Sequence, residues 1–171
     1  IQKLSDAMNN AGLKAPVRDN IRDDIWIKLW GNLCFNPISA LTGATLDIVA
    51  TNPATRMLSR SMMLEAQKIG EALGVHFRVD VHRRINGAAD VGAHKTSMLQ
   101  DLESNKPMEI DALVTAVQEM GRLVDIDTPF IDSVLGLIQQ RGEVLGLYPT
   151  FAVHDLATDS KDDEDTRELV D

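Results

Sequence analysis

Residues 25–41 read IWIKLWGNLCFNPISAL. Almost every position is apolar, and the polar members Lys28, Asn32 and Asn36 are each four residues apart. At 3.6 residues per turn that spacing stacks them along one face of a helix. A helix that is apolar on its other faces belongs in an interior. Burying an ammonium and two amides costs on the order of several kcal/mol unless something answers them. The segment therefore predicts a central helix with one polar stripe. Pro37 cannot donate to the carbonyl of Leu33, so a kink or break is expected there.

Upstream, Ile1, Leu4, Met8 and Ala11 recur at helical spacing and Gly12 stops the run. Residues 13–18, LKAPVR, read as an extended connector or a short edge strand, and the central helix starts after Asp19 or Asn20. Downstream, ALTGATLD around Gly43 reads as a loop. Asn52 before Pro53 is a helix start, with Asn as N-cap and Pro at the first helical position. Leu58, Met62, Ala66, Ile69 and Leu73 mark that helix's inner face, and Gly74 ends it. A further helix fits residues 80–90, and VGAHK after it is a loop. Ser97 to Gln100 has the S-x-x-Q form of a capping box. Pro107 opens the next helix, with Ile110, Leu113, Val114, Val117 and Val124 inward, and Thr128 with Pro129 starts the last, ending near Leu147. No stretch alternates long enough to make a sheet, and there is no internal repeat. The prediction is an all-α domain of about six or seven helices.

Composition narrows the function classes. The 171 residues are 44% hydrophobic and 25% charged, ordinary values for a soluble domain with one real core. No apolar run reaches the roughly 18 to 20 residues of a membrane span, and the first residues carry no signal-peptide pattern. The net charge is −9, but residues 155–171 hold eight acids against two bases. The body is therefore only mildly acidic, and residues 149–171 read as an acidic, solvated, flexible tail. There is no basic patch interleaved with aromatics, which argues against nucleic acid. The one cysteine, Cys34, has no partner in the chain and fits a reducing cytoplasm. The four histidines, His76, His82, His94 and His154, show no metal-ligand spacing, and no C-x-x-C occurs. There is no G-x-S-x-G, no Walker loop and no G-x-G-x-x-G, so no site for nucleotide phosphates is recognisable.

Two blocks together carry a family resemblance. One is W-x-K-L-x-x-N-x-x-x-N-P from Trp26 to Pro37; the other is S-M-L-Q-D-L from Ser97 to Leu102, with M-E-I-D following at Met108 to Asp111. E-x-x-x-I-G-x-A-L-G-V from Glu65 to Val75 and D-T-P near residue 128 support them. In order and spacing these resemble the C-terminal domain of the ketopantoate reductase (2-dehydropantoate 2-reductase) family over roughly residues 20–147. The resemblance implies a multi-helix domain of the ketopantoate reductase and 6-phosphogluconate dehydrogenase C-terminal type. It also implies a partner: an N-terminal Rossmann domain, not in this chain, that binds NADPH. Residues 1–18 would then be the last helix and edge segment of that domain, and 19–148 the helical substrate and dimerisation domain. The implied reaction is reduction of a 2-oxo acid, ketopantoate in the family's name, on the way to pantothenate and coenzyme A.

The same resemblance assigns roles. Lys28 matches the general acid, and an ammonium there suits a carbonyl whose oxygen gains negative charge. Without the family, a lysine that snorkels to the surface is the simpler reading. Asn32 and Asn36 match substrate-site asparagines, although Asn36 could instead cap backbone groups freed by Pro37. Ser97 matches a serine that contacts the substrate carboxylate, and it is also a good capping serine. Glu109 matches an acid used in binding and catalysis; alone it reads as a first-turn glutamate at N3 after Pro107. Pairing of Glu109 with Lys28 would answer the buried ammonium. Two other readings stay open: a related oxidoreductase acting on another 2-oxo acid or a 3-hydroxy acid, and a non-catalytic helical dimerisation module. A homodimer is compatible with each.

Overall fold

The computed structural model of the chain describes residues 1–150. Among them are eight α-helices, one π-helical segment and no strand. They are α1 (Gln2–Asn10), α2 (Ile21–Thr42), α3 (Leu46–Thr51), α4 (Pro53–Ala72), α5 (Val81–Ala89), α6 (Ser97–Glu103), α7 (Ala116–Leu123) and α8 (Pro129–Val144). The π segment, Asp111–Thr115, leads directly into α7. The acidic tail anticipated from the sequence lies outside the described residues from position 151 onward.

The stretch at 25–41 does what its composition dictates. α2 is the hub, packed against α3, α4, α6, α8 and the π segment. Trp30, Leu33 and Cys34 are fully buried along it, and burial of each large side chain stabilises the fold by about 1.5–3 kcal/mol. The Trp30 indole N–H donates to the carbonyl of Met63 on α4, so the ring's one polar atom is answered inside the core. Phe77 stacks on Trp30 with ring centroids 4.7 Å apart. Gly70 of α4 makes this possible, because a Cβ there would fall 2.8 Å from the Phe77 ring. The helix starts where the sequence indicates, with the Asn20 side chain accepting from the Arg22 N–H.

Pro37 does not break α2, which runs on as one element to Thr42. Phe35, Asn36, Ile38, Ser39 and Ala40 are all buried on the far side of the proline. Their packing outweighs the roughly 3 kcal/mol that an interior proline costs a helix. Other expectations shift as well. The segment read as a loop around Gly43 ends in α3, a six-residue helix anchored by the fully buried Val49 and Ala50. Two inward residues are too few to show a period. Residues 13–18 pair with no strand. Pro107 stands outside the following helix, which begins at Ile110. The last helix stops at Val144, three residues before the expected end.

A buried acid on α4 holds α8 in place. Glu65, only 7% exposed, accepts from the backbone N–H groups of Phe130 and Ile131, both at 2.9 Å. It supplies a cap from another helix, while the side chain of the N-cap residue Thr128 donates to Asp132. Burial pushes the Glu65 carboxyl above its ordinary range, and the two amide donors pull part of the way back.

Candidate active site

One pocket of about 300 Å³ lies where α2, α5 and α6 meet. α2 contributes Gly31, Asn32, Phe35 and Asn36; Ser97 comes from α6, Arg84 and Ala88 from α5, and His94 and Thr96 from the loop between. Its volume suits a small organic acid. The polar side chains that α2 sends there are two of the three members of the polar stripe.

The start of α6 explains how Ser97 becomes available. The N-cap is Thr96, whose Oγ accepts from the Leu99 N–H at 3.4 Å, so the cap sits one residue earlier than the sequence pattern indicated, and with Leu99 at N3 no reciprocal capping box forms. Thr96 is buried and occupied by that task. Ser97, the first helical residue, is exposed and free of the capping role. Its Oγ accepts from Asn36 Nδ2 at 3.3 Å, across 61 residues of sequence. Asn36 is 5% exposed and lines the pocket, and this bond answers one of its amide hydrogens. The alternative reading of Asn36, capping of groups freed by Pro37, has no such bond among the described residues.

Asn32 lines the same pocket and is half-buried. Lys28 is on the same stripe, about 6 Å further along the helix axis at 1.5 Å per residue. It does not line the pocket, and it is exposed rather than buried. The reason is local: α2 begins only seven residues before it, and near that end the helix is less enclosed, with Ile21 and Ile25 also more than half exposed. Glu109 is likewise exposed, on the residue before the helix that carries the π segment. It makes no ion pair with Lys28 among the described residues. The expected pairing is thus not present within this chain. Glu109's carbonyl accepts from Leu113, and the π segment follows at once; such segments are frequent at functional sites.

Sequence reasoning missed Arg84, Gly31 and His94 as parts of this pocket. Gly31 carried a signal: a glycine inside an apolar helix usually marks a close approach. A Cβ at Gly31 would meet the Arg84 guanidinium, with Cζ at 2.7 Å and Nε at 3.3 Å. Cys34, one turn on from Gly31, is fully buried and its thiol is pushed up to about 12, first by burial. At neutral pH it is a packing residue, not a nucleophile.

No helix among the described residues is long and apolar enough to cross a membrane. The family described as "Ketopantoate reductase PanE/ApbA C terminal" matches residues 20–142. A 2-dehydropantoate 2-reductase of Mesorhizobium japonicum is 64% identical over 145 residues, covering 85% of this chain and 44% of that protein. The structure of 2-dehydropantoate 2-reductase from Methylococcus capsulatus superposes with a TM-score of 0.76 at 28% identity, covering 90% of this chain and 52% of that one. D-mandelate dehydrogenase, solved with NADH and anilino(oxo)acetate, shares the fold, with a TM-score of 0.72 at 22% identity over 85% of this chain and 82% of that one. The chain spans about half the length of the curated relatives it matches. With α2 as hub, the stripe at 28, 32 and 36, and Ser97 brought against it, the chain belongs to the ketopantoate reductase family as its C-terminal helical domain.

Proposed function

We propose that this domain is the substrate-binding half of an NADPH-dependent reductase of 2-oxo acids, with ketopantoate to pantoate as the leading reaction. One observation carries the reading: Asn36 and Ser97 lie 3.3 Å apart in a pocket shared with Asn32, next along the helix from Lys28. Packing alone does not require two asparagines and a serine to converge on a cavity open to solvent. The names of the relatives supply the substrate class, and the mandelate dehydrogenase structure supplies a neighbour that holds a nicotinamide.

The residues divide the work. Asn32, Asn36 and Ser97 bind the acid through neutral hydrogen bonds, which orient a polar ligand without adding charge. Lys28 stands one turn beyond and protonates the carbonyl oxygen as the carbon is reduced. Glu109 assists in binding and in placing that ammonium. The nicotinamide supplies the hydride. The sequence holds no glycine-rich phosphate turn, so the phosphates of the dinucleotide are left to the Rossmann domain. A Rossmann domain closing over the exposed end of α2 would exclude water from Lys28 and Glu109. Residues 1–18 would lead from that domain into this one. The setting is the cytoplasm, and a homodimer is compatible with it.

The decisive experiment begins with the coding DNA upstream of Ile1. Some 130–180 codons ending in frame, with G-x-G-x-x-G after a first hydrophobic strand, are expected on the order of a nucleotide-binding domain. The full-length protein is then assayed with NADPH and NADH against a panel of 2-oxo acids. Ketopantoate reduction supports the reading; preference for a different 2-oxo acid keeps the chemistry and changes the substrate. No reduction of any 2-oxo acid sinks it and favours a non-catalytic helical module. The 171-residue chain alone is expected to show no NADPH turnover.

A further inference from the structure

We infer that Arg84 is the anion anchor of the pocket: its guanidinium binds the carboxylate of the substrate, and Gly31 is the seat that lets it lie there. The inference rests on the reading above that the pocket takes a 2-oxo acid, and it adds a residue outside the polar stripe.

Gly31 is buried in the middle of the hub helix, where glycine costs about 0.5–1 kcal/mol relative to alanine. What occupies the space of the missing Cβ is the Arg84 guanidinium, closer than any real side chain would tolerate. The glycine therefore admits a planar cation onto the surface of α2, beside Asn32. α5 fixes its direction: Arg84 shares a helix face with the buried Val81 and Ala88, three residues before it and four after, Ala88 lines the pocket with it, and Asp80 caps the helix start through the Arg83 N–H. The cation is half-buried, yet its guanidinium makes no hydrogen bond or ion pair among the described residues. The other half-buried arginine, Arg56, is answered by the Ala50 carbonyl and Asn86, whereas the other arginines without a partner among the described residues, such as Arg60 and Arg122, are exposed to water. No aspartate or glutamate lines the pocket.

A partly desolvated, unpaired guanidinium facing a cavity of amides and a hydroxyl is matched by an anion. Its rigid fork fits a carboxylate with two parallel N–H···O bonds. Arg84 then takes the carboxylate alongside Ser97, and Asn32 and Asn36 are left for the neutral oxygens of the substrate. Lys28 stays free to serve the carbonyl.

The test uses the full-length protein and two non-reducible probes of similar size, oxamate, which carries a carboxylate, and oxamide, which is neutral. Calorimetry should show wild type binding oxamate in preference to oxamide. Arg84→Gln should weaken oxamate on the order of 10- to 100-fold, the loss of a charged hydrogen-bonded partner, and leave oxamide unchanged. KM for the 2-oxo acid should rise by a similar factor with kcat much less affected. Arg84→Lys should recover part of the affinity, since the charge returns without the fork. Gly31→Ala should fold at least as stably as wild type and still lose oxamate affinity, because the new methyl displaces the guanidinium. Unchanged oxamate affinity in Arg84→Gln overturns the anchor, and unchanged affinity in Gly31→Ala overturns the seat. Arg84-dependent oxamate binding without reduction of any 2-oxo acid keeps the anchor and discards the reductase reading. Reduction with KM indifferent to Arg84 does the reverse.

Discussion

Lys28 and Asn36 belong to one stripe of one helix, two turns apart, and their surroundings are opposite. Around Asn36 the chain is enclosed: the side chain is 5% exposed, hydrogen-bonded to Ser97 and in a pocket walled by α5 and α6. Around Lys28 it has built almost nothing. The ammonium is exposed, and neither Glu109 nor another acid reaches it among the described residues. On the proposed function the difference separates two tasks. Recognition of a ligand can be completed inside one domain. A proton donor for carbonyl reduction gains from water exclusion only when substrate and hydride source are both present, so an open catalytic end is what a closing two-domain enzyme needs.

The largest effect should come from the open end. In the full-length enzyme, Lys28→Ala is expected to lower kcat by about 10²-fold or more, the usual contribution of a placed general acid. The same substitution in this chain should leave the thermal midpoint essentially unchanged, since an exposed, unpaired lysine holds nothing together. A near-normal kcat would remove Lys28 from the acid role. A large loss of stability would show that the open end is structural after all.

Glu65 offers the reverse case, a buried polar group whose work is wholly structural. Glu65→Ala strands two N–H groups at the start of α8 and should cost about 1–3 kcal/mol in urea unfolding. The acid also has a pH signature. Its folded-state carboxyl is raised, mainly by burial, so the folded chain holds that proton to higher pH than the unfolded chain. Its titration favours folding below the unfolded value, and this contribution fades as pH rises through the folded one. Glu65→Gln should flatten that slope. Asp24, held low by its bond to Arg18, gives the opposite slope at lower pH, so the two can be separated. A variant with the wild-type profile would break the assignment to Glu65.

Much of this was legible in the sequence, for physical reasons. A run apolar on nearly all faces has to be the hub, and the four-residue spacing alone puts Lys28, Asn32 and Asn36 in line. Ser97 could be linked to them only through the family resemblance, because local pattern says nothing about a contact 61 residues away. The exposure of Lys28 was not legible either: an apolar neighbourhood in sequence is not an enclosed one in space, least of all two turns from a helix end. That Pro37 would not end the helix was not legible, because its local cost is fixed, whereas the packing that offsets it depends on other helices. Arg84 was hidden in a polar segment of no obvious pattern. The clue lay on the other helix, in a glycine that a packing helix would not choose.

The smallest effect concerns Thr96 and Ser97, and it decides which of two adjacent hydroxyls is free for a ligand. If Thr96 is the cap, Thr96→Ala removes the acceptor for the Leu99 N–H and should cost about 1 kcal/mol. Ser97→Ala should then change stability by no more than about 0.5 kcal/mol, as for a surface position, because the Asn36 amide it abandons faces a pocket that water can enter. Its effect should appear in KM of the full-length enzyme instead. The opposite pattern, a costly Ser97→Ala and a harmless Thr96→Ala, would return Ser97 to the capping box that its sequence suggests. A serine committed to the backbone of α6 has little left to offer a substrate. The recognising end of the stripe would then be reduced to its two asparagines, and the contrast between an enclosed end and an open one would lose its strongest bond.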